Sequence, residues 1–380
     1  MTLLGENNMD TLFFELIQVA IGTRICLSHT PSADEWGELY AMAKKQSLVG
    51  VCFAGVQKLV DSENAHYFGM NELQYLTWMG MAAKIQQRNE VVTKQCADLQ
   101  EKLSADGLSC VVLKGQSVAE QYGAQLSALR QSGDIDLWVD APRDRTVEYV
   151  MKRCPTTEVN FQHVHYHVLQ DTDVELHMAP VSRYNPRRNR ILQEYFDSEV
   201  KRQCSNRKLI RIGGAEVELS VPTEDFQLVH QLLHVYSHYV YEGVGLRQLM
   251  DLYFAQRAMK YGDELFKVQE LFKRLGLGRF VAATQWVLKE VFMLPTNELI
   301  WEPDSKEGAQ MLEEVMEGGN FGHYSEKNAV HGESTVHRMW RRFGQNVRMI
   351  RFDFLGVICG PWYRLRIGMW RKSIARKYNV

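Results

Sequence analysis

The chain has 380 residues, 44 Lys+Arg against 46 Asp+Glu, a formal net charge of −2 and 45% hydrophobic residues. This composition excludes a disordered chain, a fibrous repeat and a small disulfide scaffold, and the length predicts about two or three structural units. Near-neutral charge argues against a generic polycation binder and leaves room for a local basic site.

The N-terminal stretch MTLLGENNMDTLFFELIQVAIG lacks the basic n-region and cleavage site of a secretory signal, and residues 12–21 form an amphipathic helical pattern. Ser32 and Glu35 have capping-box spacing ahead of Trp36, Leu39, Tyr40 and Ala43, so a helix is expected there. A long helical pattern starts near Asn71, carries Tyr75, Ile85, Val92, Cys96, Leu99 and Leu103, and ends at Gly107. Residues 1–106 are therefore expected to form an N-terminal helical region.

The pattern changes at Cys110. Residues 110–113 read as a short strand, followed by Lys114-Gly115 and a helical stretch around 117–128. Residues 134–139 (DIDLWV) alternate as a strand, and 163–169 with 173–178 read as a hairpin about Asp171-Thr172. Two further strands flank Gly213-Gly214. This gives a mixed α/β unit over 107–221. Helices return from Thr223, which is placed to cap EDFQLVHQLLHVYSH, and continue from Gly245 and over 262–274 and 278–292. Residues 301–317 are acidic, and Gly318, Gly319 and Gly322 predict an open loop. From Arg338 to the end there are 11 Arg/Lys and one Asp, which makes 222–380 a helical region with a basic end.

No apolar run reaches the ~18–20 residues of a membrane span. The seven cysteines are dispersed without a CxxC pair, which fits reduced thiols in a cytoplasmic protein. No period of about 20–50 residues repeats.

The sharpest chemical feature is Gly133-Asp134-Ile135-Asp136. In a strand, residues i and i+2 share a face, so Asp134 and Asp136 point together while Ile135 and Leu137 pack behind. Two adjacent carboxylates repel and lose hydration when enclosed, and a hard divalent cation relieves both. Taken alone, a DxD equally suits a solvated strand edge. Lys114 and Gly115 follow a buried strand, where glycine permits close backbone approach. Gln116 and Ser117 are candidate supporting donors there and Arg130 a candidate phosphate ligand, although the loop lacks Walker A spacing. Glu175 shares a strand face with His177 and is the third acidic candidate if its strand pairs beside 134–139.

These motifs resemble a family of poorly characterised bacterial nucleotidyltransferases. The resemblance rests on Leu113-Lys114-Gly115, Arg130, Gly133 to Leu137 and Val174-Glu175-Leu176-His177. It continues through Pro222, Glu224-Asp225, His230, His234, His238, Gly245-Leu246-Arg247 and Asp251-Leu252. It spans about residues 100–260 most strongly and extends more weakly over the helical N-terminal region and the helices to about residue 292. That family is similar to the polymerase-beta-like nucleotidyltransferase superfamily. The resemblance implies an α+β fold with a nucleotidyltransferase-like mixed sheet and flanking helices, and transfer of a nucleoside monophosphate from a metal-bound NTP to an unidentified acceptor hydroxyl. It places Asp134, Asp136 and Glu175 as catalytic metal ligands for Mg²⁺, with Mn²⁺ as the alternative, and Gly115 at the nucleotide turn. Gln116 stands where the superfamily has Ser or Gly, and Ser117 follows it. His177, His234, Arg247 and Asp251 are supporting or substrate-contacting candidates.

Two alternatives stand beside this reading. One is a noncatalytic nucleotide- or RNA-binding module, and another is a metal-dependent phosphohydrolase. The alternating His163, His165 and His167, and the HxxxHxxxH run of His230, His234 and His238, also suit either a transition-metal site or polar packing. Arg247 and Asp251 have the spacing of a helical ion pair. The basic end suits RNA, an anionic membrane surface, or pairing with the acidic 301–317 segment.

Overall fold

A computed structural model describes residues 8–63, 67–260, 262–320 and 335–380, the last of these as backbone alone over 335–349. Four helices come first: α1 (Asn8–Ile21), α2 (Ala33–Lys45), α3 (Val49–Glu63) and α4 (Glu72–Ala105). Ser32 and Glu35 form the expected capping box on α2, and Asn71 forms one with Gln74 on α4. The mixed unit holds β1 (Cys110–Val112), α5 (Gln116–Ala119), β2 (Ile135–Val139), α6 (Arg143–Arg153), β3 (His163–His165), β4 (Val174–His177), α7 (Pro186–Ser205), β5 (Arg207–Ile212) and β6 (Ala215–Ser220). After it come α8 (Glu224–Tyr241), α9 (Leu246–Ala258), α10 (Asp263–Leu275), α11 (Gly278–Phe292), α12 (Ser305–Gly318) and α13 (Thr335–Tyr378). The class is α+β.

The main sheet has the order β1-β2-β4-β3. The β1–β2 and β3–β4 pairs are antiparallel, and the central β2–β4 pair is parallel. Alternation gives the sheet two unlike faces. Ile135, Leu137, Val164, Val174 and Leu176 enter a buried apolar cluster with α4 and α6, while Asp136, Glu175, His177, His163 and His165 lie on the other face. The β5–β6 hairpin turns on Gly213, at φ 59°, and packs Ile210, Ile212 and Leu219 into the same cluster.

The expected helix over 117–128 breaks into α5 and two 3₁₀ turns, Glu120–Tyr122 and Ser127–Leu129. Gly123, at φ 76°, ends the first turn, and the Tyr122 hydroxyl is drawn 2.7 Å from Asp251 on α9. Thr223 stands at the start of α8 but makes no side-chain cap. Its hydroxyl donates instead to Gln203. The predicted hairpin has shorter strands than its pattern, and Asp171 and Thr172 in its loop are tied to Arg88 and Gln95 of α4. The acidic stretch is mostly the helix α12, and Gly322 lies outside the described residues.

The helices on either side of the sheet unit share one core. Leu12, Phe13, Trp36, Val56 and Trp78 belong to the same buried cluster as Phe226, Leu249, Phe280 and Met311. Helix α4 joins that core to the one behind the sheet. Trp78, Ala82 and Ile85 lie in the first, and Val92, Cys96, Leu99 and Leu103 in the second. Between these two sets lies Asn89, 0% exposed. Its amide nitrogen donates to the carbonyls of Ala128 and Arg130, both at 2.7 Å, and its oxygen accepts from Gln116. This clamps the segment leading to Asp134. Asn89→Ala strips both buried carbonyls of that donor and should cost about 3 kcal/mol. Urea unfolding reads the loss, and a cost near zero removes Asn89 from this role.

All seven cysteines are free. Among the described residues no helix is long and apolar enough to cross a membrane.

Candidate active site

The parallel pairing of β2 with β4 sets Asp136 directly beside Glu175. Asp134 lies one residue before β2 and is reached by Lys114, which follows β1. Lys114 Nζ is 3.4 Å from Asp134 Oδ2 and 3.0 Å from Asp136 Oδ2. His177 Nε2 lies 2.8 Å from Asp136 Oδ1 and 3.1 Å from Glu175 Oε2. Three separate chain segments thus bring three carboxylates, an ammonium and an imidazole together on the polar face of one sheet.

Charge balance follows from these contacts. The Lys114 ammonium beside Asp134 holds its carboxyl below the usual carboxylate range. Burial raises Asp136, and the negative charge of Asp134 adds to the rise. Burial also opposes ionisation of Glu175, but its hydrogen bond to His177 and the charges of His177, His163 and Lys114 hold its carboxyl well below normal. In Lys114 burial is outweighed by the three carboxylates, which raise its pKa. His177 follows the same pattern: burial disfavours its charge, and hydrogen bonds to Asp136 and Glu175 push it up to about 9. The centre therefore holds two cations among three acids.

Gly115 sits at φ 62° and ψ −111°, a conformation essentially reserved for glycine. A Cβ there would meet only Asp134 O, at 3.8 Å, so the backbone conformation and not crowding selects glycine. Gln116 and Ser117 were expected to offer side-chain donors to phosphate. They are 1% and 4% exposed and turn inward, Gln116 to Asn89 and Ser117 to Gln227 and the Lys114 carbonyl. Arg130, expected at phosphate, is 4% exposed and forks onto Asp251, with Nε and Nη2 each 2.7 Å from a carboxylate oxygen. Asp251, spaced to pair with Arg247 on the same helix, thus takes its two-pronged partner from an arginine 121 residues away in the chain. Arg247 Nη1 donates to the carbonyl of Gln131, so α9 grips the approach to Asp134 at two points.

The histidine groups separate. Asn160 Oδ1 accepts from the backbone of Gln162 and His163, which leaves its amide nitrogen to donate to His163 Nε2 at 2.9 Å. His163 Nδ1 must then carry the proton and donate to Glu175, 3.1 Å away, an assignment that follows from the hydrogen-bond network. His165 Nε2 is 3.4 Å from Glu175, and His167 pairs with Glu158. His163, His165 and Glu175 have ligand atoms within 4.8 Å of one another, and in this arrangement His163 Nδ1 is engaged as a donor to Glu175. On α8, His230 and His234 are buried near Lys114, and His238 pairs with Glu242 at 2.7 Å.

Burial pushes His230 down to about 3, against the ordinary value near 6.5, so it folds neutral. Between these values the unfolded chain binds the extra proton. Its contribution to stability is complete above pH 6.5 and falls as pH drops towards 3. At pH 5 the loss is about 2 kcal/mol. His230→Gln should flatten that part of the acid limb, measured by urea unfolding at pH 7 and pH 5. An unchanged pH slope contradicts this account.

Asp136, Glu175 and His177 also present ligand atoms within 4.8 Å of one another. The Lys114 ammonium already stands between two carboxylates, so the cluster accepts positive charge, and its oxygen-rich donors fit a hard divalent cation. Beside the approach to Asp134, Gln131 and Ser132 line a cavity of about 590 Å³ with Lys44, Lys84 and Arg88. Sequence reasoning missed these three cations, and nothing in their spacing sets them apart from ordinary surface charge.

No curated protein matches the chain. A crystal structure of an antigenic nucleotidyltransferase-like protein from Paracoccidioides brasiliensis is similar at 18% identity and a TM-score of 0.31, covering 53% of this chain and 91% of that one. A family model described as "Uncharacterised nucleotidyltransferase" matches residues 32–293, which include every carboxylate of the cluster and the clamp around Arg130. The chain belongs to this nucleotidyltransferase family.

Proposed function

We propose that the protein transfers a nucleoside monophosphate from an NTP to an acceptor hydroxyl, releasing pyrophosphate, with Mg²⁺ as its metal. The observation that carries this reading is the pairing of Asp136 with Glu175 across the parallel strands, with Lys114 bound to Asp136 and Asp134. Asp134, Asp136 and Glu175 are the residues to hold the metal. Bound there, a divalent cation neutralises phosphate charge and lowers the pKa of an attacking hydroxyl.

The chain's own groups do the rest by position and charge. Lys114 keeps its proton across the working range and has reach to both Asp134 and Asp136, so it can pass its charge to a phosphate oxygen. Gly115 leaves the turn beside it without a side chain. His177 holds Asp136 and Glu175 in one orientation through a single nitrogen. Arg130, Asp251, Arg247 and Asn89 support the loop that ends at Asp134. With Gln116 and Ser117 turned inward, phosphate contact falls to Lys114 and the backbone at Gly115.

The test is incubation with α-labelled NTPs and Mg²⁺, offering small hydroxyl compounds, RNA and the protein itself as acceptors. The expected result is label retained on one acceptor class, with matching pyrophosphate release and loss of both on chelation. Label appearing only as free nucleoside monophosphate, or inorganic phosphate release, makes the protein a phosphohydrolase. NTP binding without either product makes it a binding module.

A further inference from the structure

The basic end of the chain has an apolar side. Helix α13 is kinked at Asp353, whose φ of −152° and ψ of 68° interrupt the helix. Asp353 is 2% exposed and is held by Arg183 and Arg188 of the body, so the kink is anchored. Beyond it the helix turns its inner face to the protein, with Ile374 6% exposed and packed in the cluster behind the sheet. Trp370 and Tyr378 pack against that cluster too, and Trp370 meets Phe161 at 4.9 Å between ring centroids.

The outer face is unusual. Phe354, Leu355, Ile358, Trp362, Leu365 and Met369 are 59%, 47%, 57%, 76%, 54% and 59% exposed. At about 100° per residue, these six fall within an arc of about 100°. They account for six of the 15 large hydrophobic residues exposed among the described part of the chain. Around them stand Arg364, Arg366, Arg371, Lys372, Arg376 and Lys377, all exposed, and no acidic residue occurs from 354 to 380. An apolar stripe on a cationic helix that is too polar to span a bilayer has the character of a helix lying in the plane of a membrane interface.

We propose that α13 docks the protein on an anionic lipid surface, with the stripe from Phe354 to Met369 entering the headgroup boundary and the flanking arginines and lysines meeting lipid phosphates. Charge complementarity selects this occupant. A second copy of the same helix would bring six cations against six. RNA would use cation and ring stacking, whereas four of the six stripe residues are aliphatic. The anchored kink presents the stripe outward while Ile374 and Trp370 hold the opposite side to the sheet unit. The matched family region ends at residue 293, so this surface lies outside it. The proposal is independent of the catalytic reading.

The experiment is sedimentation of the full-length protein with vesicles of phosphatidylcholine alone and of phosphatidylcholine with about one third phosphatidylglycerol. Binding to the anionic vesicles should exceed that to neutral ones by about tenfold or more at 0.1 M salt and weaken at high salt. The exposed-site double substitution Ile358→Glu with Leu365→Glu should reduce it about tenfold, while circular dichroism and thermal unfolding stay as in the parent. Equal binding to both vesicle types, no binding to either, or vesicle binding that survives the double substitution overturns the proposal. So does a solution dimer that the same substitutions dissociate, or an RNA that they release while anionic vesicles remain unbound.

Discussion

Asp134→Asn is expected to lower nucleotidyl transfer by about a thousandfold or more while leaving the fold intact. The side chain stands just before β2 and is 36% exposed, with Lys114 at 3.4 Å as its cation. Neutralising it removes one carboxylate from the proposed metal-binding set and leaves Lys114 still paired with Asp136. A bound metal contributes several kcal/mol of charge stabilisation, and about 4 kcal/mol corresponds to a thousandfold in rate. Asp136→Asn should be as damaging to transfer. It also takes a partner from both Lys114 and His177, so some loss of stability accompanies it. Asp134 is therefore the sharper variant. The measurement is label transfer from an α-labelled NTP, with circular dichroism and Mg²⁺ titration on the same samples. Transfer that persists within tenfold of the parent, in a variant with parental structure, would falsify the placement of the chemistry on this face of the sheet.

The largest stability effect is expected at Asp251. Its carboxylate accepts from Nε and Nη2 of Arg130 and from the hydroxyl of Tyr122 in a buried setting. Asp251→Asn leaves a guanidinium enclosed without its counter-charge, which should cost about 3–5 kcal/mol. Replacing both partners by apolar residues, Arg130→Met with Asp251→Leu, removes the charge along with its need for compensation and should cost much less. Urea unfolding of the two singles and the double gives the comparison. A single substitution costing under about 1 kcal/mol would show that the pair does not hold this loop. The doubly apolar protein also separates two effects. If it folds well but transfers poorly, the pair positions Asp134 and does not merely stabilise the chain.

The parts legible in the sequence were those governed by near neighbours. The capping boxes at Ser32 and Asn71, the alternation around Asp134 and Asp136, and the face shared by Glu175 and His177 all depend on residues within four positions of each other. The partnership of Asp136 with Glu175 was available as a conditional inference, because strand pairing was the only fact it lacked. What stayed out of reach depends on distant chain. Arg130 looks like a phosphate ligand until α9 delivers Asp251 beside it. Asn89 is one polar residue inside a long helical pattern, and its three hydrogen bonds go to segments about 30 to 40 residues downstream. The 117–128 stretch has helical composition but is divided by Gly123 and by the pull of Tyr122 towards Asp251. The basic end shows the same limit. Arg351 pairs with Glu307 and Glu314 of α12, as charge alone would suggest. The side chains of Arg338, Trp340, Arg341, Arg342, Phe343 and Arg348 lie outside the described residues. The outward apolar stripe emerged only once the inner face of α13 was known.

Helix α4 also bears on how small this protein can be made. Its first half belongs to the core shared by the flanking helices and its second half to the core behind the sheet, so a cut between them exposes both. A fragment limited to residues 107–221 would lose the wall formed by Val92, Cys96, Leu99 and Leu103. It would also lose Gln100, which bridges Cys110 and Ser220, and Asn89, which secures the loop before Asp134. The minimal folding unit is therefore expected to begin upstream of Glu72 and run through α9, even though the proposed chemistry lies on one face of a four-stranded sheet. Proteolysis should reflect this: damage within α4 should release both halves together, with no surviving catalytic core.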